Sequence, residues 1–206
     1  MKIEEAIKAI KEGSKRNFVQ SIDMIINLKN IDLRKPENKI SKEITLPHSI
    51  RSKANVCVIS DSIQKSEKFD VIGKIDLTNF EGDKKKAKGF AKKYDFFLAE
   101  APLMLAVGKS IGRYLGPLGK MPMPIPPNIK NIDGLAESKN KAVKIRVRDS
   151  PVIHTMIGKE NMNEEQLIEN GKKILEETEK TLPKGRAQIR NIYIKTTMGT
   201  AQKIEW

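Results

Sequence analysis

The apolar positions change period several times along the chain. Ile3, Ala6, Ile7 and Ile10 recur at helical spacing, and Gly13 stops the segment. Phe18, Ile22, Met24, Ile26 and Leu28 then fall on even positions, with Ser21, Asp23 and Asn27 on odd ones, which predicts a half-buried strand. IDLRKPENKI is a polar turn about Pro36, and Glu43 to Pro47 reads as a short strand ending in Leu-Pro-His. Val56 to Ile59 is an unbroken apolar run, as in a strand buried on both faces, and Val71-Ile72 and Phe96 to Ala99 are further short strands. Lys84 to Lys93 reads as a helix, and Leu103, Val107, Ile111 and Leu115 mark another. GPLGKMPMPIPPN holds five prolines and two glycines without helical period and reads as a loop.

Beyond it, Val143, Ile145 and Val147 alternate with Lys144, Arg146 and Arg148, giving a strand with one apolar and one basic face. Asn163 followed by Gln166 is a capping-box pattern, and Leu167, Ile168, Ile174 and Leu175 supply the stripe of the next helix. Pro183 and Gly185 end it, and Ile189, Ile192 and Ile194 lead into a last strand that runs up to Thr-Thr-Met-Gly. Strands with one polar face thus sit at both ends, and short apolar strands alternating with helices fill the middle. The pattern predicts an α/β chain in which residues 1–49 and 143–206 build one domain and residues 50–142 an inserted, parallel-sheet domain.

Charge changes the picture. Across 206 residues, 39 Lys and Arg against 26 Asp and Glu leave +13, so a polyanion is the first partner to consider. It does not choose a half: the terminal segments hold 22 basic and 16 acidic residues and the middle 17 and 10. No apolar run reaches the roughly 18–20 residues that span a bilayer, and the start lacks the apolar core of a signal peptide, so no membrane partner is expected. The single cysteine, Cys57, favours a reducing compartment. Aromatic residues make up only 5% of the chain, which points away from base-by-base stacking and toward reading of RNA shape, backbone and 2′-hydroxyls.

Catalysis has little to stand on. His48 and His154 are far apart, neither belongs to a zinc motif, and Cys57 sits inside the apolar run. The rival reading is an α/β enzyme or phosphate-binding protein using the glycine-rich loop near Gly116. Against it, a phosphate-binding loop ending at Gly119-Lys120 requires glycine at Tyr114 and a hydroxyl at Met121. A second rival is a non-specific basic protein. The Thr-Thr-Met-Gly turn has two readings: a strand end, or a contact in which Thr197 bonds a phosphate or 2′-OH, Met198 lies on a ribose or base, and Gly199 lets the backbone close in.

Taken in order, NFVQSID, DLRKPENKI, LPH, GPLGKMP, VRDSP, HTMIGKE and KTTMG cover the chain nearly end to end and resemble the family of large ribosomal subunit protein one, in its archaeal form. The resemblance implies a terminal split βαβ two-layer sandwich with an inserted Rossmann-like domain. It also implies binding to a helical junction of large-subunit ribosomal RNA, a place in the mobile stalk beside the tRNA exit site, tRNA as a partner there, and repression through a mimic on its own mRNA. The expected protein has no cofactor or metal and is a monomer when free of the ribosome. The family's RNA contacts fall on Phe18, Ser21, Asp23, Thr197, Met198 and Gly199, with Arg148 and Asp149 nearby. Two positions depart from the family pattern: Thr200 replaces a frequent proline and Ser150 a frequent lysine.

Overall fold

The computed structural model describes residues 1–13, 16–35, 38, 40–51, 54–62, 69–127 and 132–205, so the turn at Pro36 lies outside the described residues. The chain is α/β and divides into two compact units, Met1–Ser52 with Lys141–Trp206, and Lys53–Asn140.

In the first unit, α1 (Ile3–Gly13) precedes β1 (Ser21–Leu28), and β2 (Ser41–Thr45) closes the N-terminal segment. The inserted unit contributes β3 (Val56–Ile59), β4 (Asp70–Ile72), α2 (Lys74–Gly82), α3 (Lys84–Lys93), β5 (Phe96–Glu100), α4 (Met104–Ser110), α5 (Gly112–Leu118), β6 (Met123–Ile125) and α6 (Ile132–Ser138). The first unit resumes with β7 (Ala142–Arg146), β8 (Val152–Lys159), α7 (Glu164–Thr181), β9 (Ile189–Thr196) and β10 (Gln202–Ile204). Thr45 pairs with Ala142, so the chain leaves and re-enters this unit on neighbouring strands.

The main sheet has the order β10-β9-β1-β8, with every neighbour antiparallel. β8, α7 and β9 therefore form a βαβ unit whose two mutually parallel strands are split by β1. Even positions of β1 (Ile22, Met24, Ile26, Leu28) are buried with Ile3, Ile7 and Ile10 of α1 and Leu167, Ile174 and Leu175 of α7. Each such side chain contributes about 1.5–3 kcal/mol on burial. The odd positions stay half-buried on the other face.

Inside this layer Asn170, fully buried on α7, has its amide spent three ways. Its Nδ2 donates to Ile157 O (2.9 Å) and His48 O (3.3 Å), and its Oδ1 accepts from His48 N (3.1 Å). The Leu-Pro-His segment is thereby tied to α7 and β8, and the His48 ring adds a contact of 2.6 Å to Glu169. The capping box is not formed: Asn163 is the N-cap of α7 by backbone, without a side-chain bond.

The inserted unit is a parallel sheet, β4-β3-β5-β6, of doubly wound order. Cys57 lies fully buried in β3, and burial first, then Asp70, pushes its thiol up to about 12, leaving it unreactive. The predicted helix through Leu103 and Leu115 breaks into α4 and α5 at Ile111, although Leu103, Val107, Ile111 and Leu115 all stay in one core.

The glycine–proline stretch is not a loop. Gly119 ends α5 in the left-handed region (φ 69°), and Lys120 N donates back to Leu115 O (3.0 Å). The Lys120 ammonium then caps α3 through Tyr94 O (2.7 Å) and Ala91 O (3.3 Å). Met123–Ile125 pairs with β5 as an edge strand. Pro122, Pro124 and Pro126 alternate along it, so their nitrogens all point to the open edge where no N–H is needed. The residues that resembled a phosphate loop are thus engaged in helix capping.

Candidate nucleic-acid interface

Three chain segments meet where β1 begins and β8 and β9 end. Ser21 pairs with Lys159 across one ladder, and Ile22 with Thr196 across the other. Thr197 closes the corner: its N–H donates to Ser21 O (3.0 Å) and its Oγ1 donates to the same oxygen (3.2 Å). Gly199 N bonds Thr196 O (3.1 Å), making a tight turn.

A residue that sequence reasoning missed holds these segments together. Gln20, only 1% exposed, accepts from Met198 N through Oε1 (3.1 Å) and donates to Glu160 Oε2 (3.5 Å), while Glu160 N donates to Gln20 O (2.9 Å). The signal was its parity: Gln20 continues the even, buried series of Ile22 and Met24. Its amide positions the turn so that Met198 projects, 62% exposed, near Phe18 at 56% and Val19 at 58%. Phe18 is therefore on the surface despite sharing that parity, because β1 begins only at Ser21. A depression of about 480 Å³ is bordered by Arg16, Asn17, Phe18, Val19, Glu160 and Asn161.

Asp23 lies one step along the open face, paired with Lys195 on β9. Burial pushes its carboxyl above the usual range, and Lys195 and His154 pull partly against that shift. A raised folded pKa means that ionised Asp23 costs stability once pH exceeds it, and that this cost vanishes below the unfolded value. Asp23→Asn is expected to melt higher than the parent at pH 7, with the difference shrinking as pH falls through the acid range. Melting curves of both proteins between about pH 3 and 7 check this; a variant that melts lower at pH 7 would contradict it.

The structure does not bring Arg148 and Asp149 to this group. They precede β8, whose Val152 pairs with Asn27, and Pro151 O accepts from Leu28 N (2.8 Å). They stand at the opposite end of the sheet, because β8 runs antiparallel to β1. Expecting them near Phe18 is corrected by this register. The remaining six residues, Phe18, Ser21, Asp23, Thr197, Met198 and Gly199, share the one end of β1.

Among the described residues no group of three or more metal-ligating side chains exists, and no helix is long and apolar enough to cross a membrane.

Residues 10–200 match the Ribosomal protein L1p/L10e family. The chain belongs to this family. It is 43% identical to the large ribosomal subunit protein uL1 of Pyrococcus horikoshii, over 99% of this chain and 95% of that protein. The same-named proteins of Thermococcus kodakarensis and Methanopyrus kandleri are 42% and 40% identical, covering 99% and 98% of this chain and 97% and 96% of theirs. A member of the L1p/L10e family is a structural ribosomal protein and not an enzyme, and its place is the ribosome in the cytoplasm. The archaeal resemblance read from the seven motifs agrees with these relatives.

Proposed function

We propose that this chain binds a helical junction of large-subunit ribosomal RNA through the unit built from its two ends. So anchored, it forms the mobile stalk beside the tRNA exit site and helps tRNA leave, and the same surface holds a mimic on its own mRNA and represses translation. The observation that carries the reading is the corner at the start of β1. Exposed Phe18 and Met198 stand beside polar groups whose directions are fixed by buried Gln20. Thr197 has given its hydroxyl proton to Ser21 O, so toward a ligand it only accepts. Half-buried Asp23 likewise accepts when ionised. Acceptors beside apolar side chains suit ribose 2′-OH groups better than phosphates, which is a preference for RNA over DNA.

Competition between a ribosomal junction fragment and unrelated duplex RNA tests the reading; equal affinity for both would reduce the chain to a non-specific basic protein. Two expectations follow from where the contacts lie. Replacing residues 53–140 by a short Gly/Ser linker should weaken junction binding by less than about a hundredfold, or about 2.7 kcal/mol. A larger loss in a folded variant would move the main contacts into the inserted unit. If only about three to five phosphates are neutralised, the log–log salt slope is about −2 to −5. A slope near −10 would mean that the general positive field dominates.

A further inference from the structure

Four lysines around α7 are paired with carboxylates within the protein. Lys42, Lys180 and Lys173 converge on Glu177 at 3.1, 3.3 and 3.4 Å, and its carboxyl is held down at about 2, chiefly by the Lys42 and Lys180 hydrogen bonds. Lys172 reaches Glu4 at 3.8 Å. The sheet corner farthest from Phe18 is different. There Leu28 N bonds Pro151 O (2.8 Å) and Lys29 N bonds Gln188 O (2.7 Å), which brings the segments at 29, 148–151 and 186–190 together. The β10 ladder stops at the Ile204–Ile192 pair, so β9 runs on past it. Arg186, Arg190, Asn191 and Lys203 border the opening this leaves, about 300 Å³, with Ile189 and Ile192 also lining it.

Arg186, Arg190 and Lys203 are exposed, and among the described residues none makes an ion pair or side-chain hydrogen bond. The carboxylate at the opening, Glu205, faces the Met1 ammonium at 3.7 Å. Three unpaired cations around one small concavity repel one another unless an anion sits between them. Guanidinium forks match phosphate oxygens two at a time, and an apolar floor accepts a ribose.

We infer that this corner is a second RNA-backbone site, which takes a phosphate–ribose unit of the RNA held at the start of β1. The inference rests on the RNA-binding reading of the chain. The two ends are separated by the six residue steps from Ile22 to Leu28, roughly 20 Å of strand, a span that one folded junction covers. Arg148 and Lys29, at this end and likewise unpaired, belong with the second site. RNA is favoured over an acidic protein segment because the three most exposed large apolar side chains of this unit, Met198, Val19 and Phe18, are at the other end. Met1, beside Glu205 at this end, is less exposed, at 45%, than those three and is a weaker anchor for a protein partner.

The test uses the full chain and fluorescence anisotropy with a transcribed junction fragment, at salt concentrations from about 0.05 to 0.4 M. Arg186→Gln/Arg190→Gln/Lys203→Gln should bind at least about tenfold more weakly near 0.15 M salt and flatten the slope by about 2. Arg186→Lys/Arg190→Lys should keep the parental slope, which separates charge from a folding defect, as does Lys203→Gln alone with a slope change of about 1. Met198→Ala should weaken binding without moving the slope. An unchanged slope with affinity within twofold, while the parent still prefers the junction to unrelated duplex, would overturn the second site and leave the main reading standing. A slope flattened by the triple substitution, in a protein whose parent lacks that preference, would support the corner as a backbone site and sink the junction reading instead. Polyglutamate binding that the triple variant loses, with RNA binding intact, would overturn the proposal in favour of an acidic partner.

Discussion

Gly199→Val should weaken binding of the ribosomal junction by at least about 2 kcal/mol, roughly thirtyfold, and leave the melting temperature within about 2 °C of the parent. Two explanations of a glycine at this turn compete: a left-handed backbone, or close approach of a ligand. Among the described residues the glycines with positive φ are Gly119 and Gly185, so Gly199 occupies backbone that any residue adopts. Its N–H bond to Thr196 O (3.1 Å) involves backbone atoms alone and survives the substitution. What valine adds is a branched side chain beside the exposed Met198, where the RNA backbone is proposed to pack. Melting and RNA titration on the same preparation separate the outcomes. Full affinity with a lower melting temperature would make the turn structural and move the RNA site elsewhere.

The largest stability loss is expected at Asn170. Asn170→Leu removes three hydrogen bonds at once and leaves the Ile157 carbonyl, in a place closed to water, and the partly buried His48 backbone groups without that partner. A buried acceptor or donor left unmade costs about 1–3 kcal/mol, so a loss of about 3–4 kcal/mol in the terminal unit is expected even though leucine is a better helix former. Glu169→Gln, which touches only the exposed His48–Glu169 contact, should cost under about 1 kcal/mol. Urea titration of both variants measures the difference. Equal midpoints would show that the Leu-Pro-His segment is held by its apolar neighbours, Leu46 and Ile50, and not by the amide.

Much of this was legible because it rests on local rules. The period-2 series from Ile22 to Leu28 and the helical series at Ile3–Ile10 and Leu167–Leu175 name the same residues that the core contains. β8 escaped notice for two physical reasons. Thr155, a polar residue, occupies its buried face, and the register shift between Ile22 and Asp23 puts Ile157 and Gly158 inside consecutively, which breaks the alternation. β10 is three residues long, and α2 buries mainly Leu77, too little for a helical period to show. The alternating prolines of β6 carried a readable signal, since nitrogens spaced by two all face one edge, but only pairing with β5 shows that the edge is free.

By itself the chain determined most of its elements, its excess of positive charge, and the family whose motifs it carries in order. These follow from side-chain chemistry and from spacing along a single strand or helix. Which residues share a site was decided by tertiary structure alone. Gln20 became the tie between two distant loops because β1 lies between β8 and β9, which bring Glu160 and Met198 to its start. Arg148 parted from Phe18, and came to the end of the sheet where β9 begins, because an antiparallel strand carries its two termini to opposite ends of the sheet.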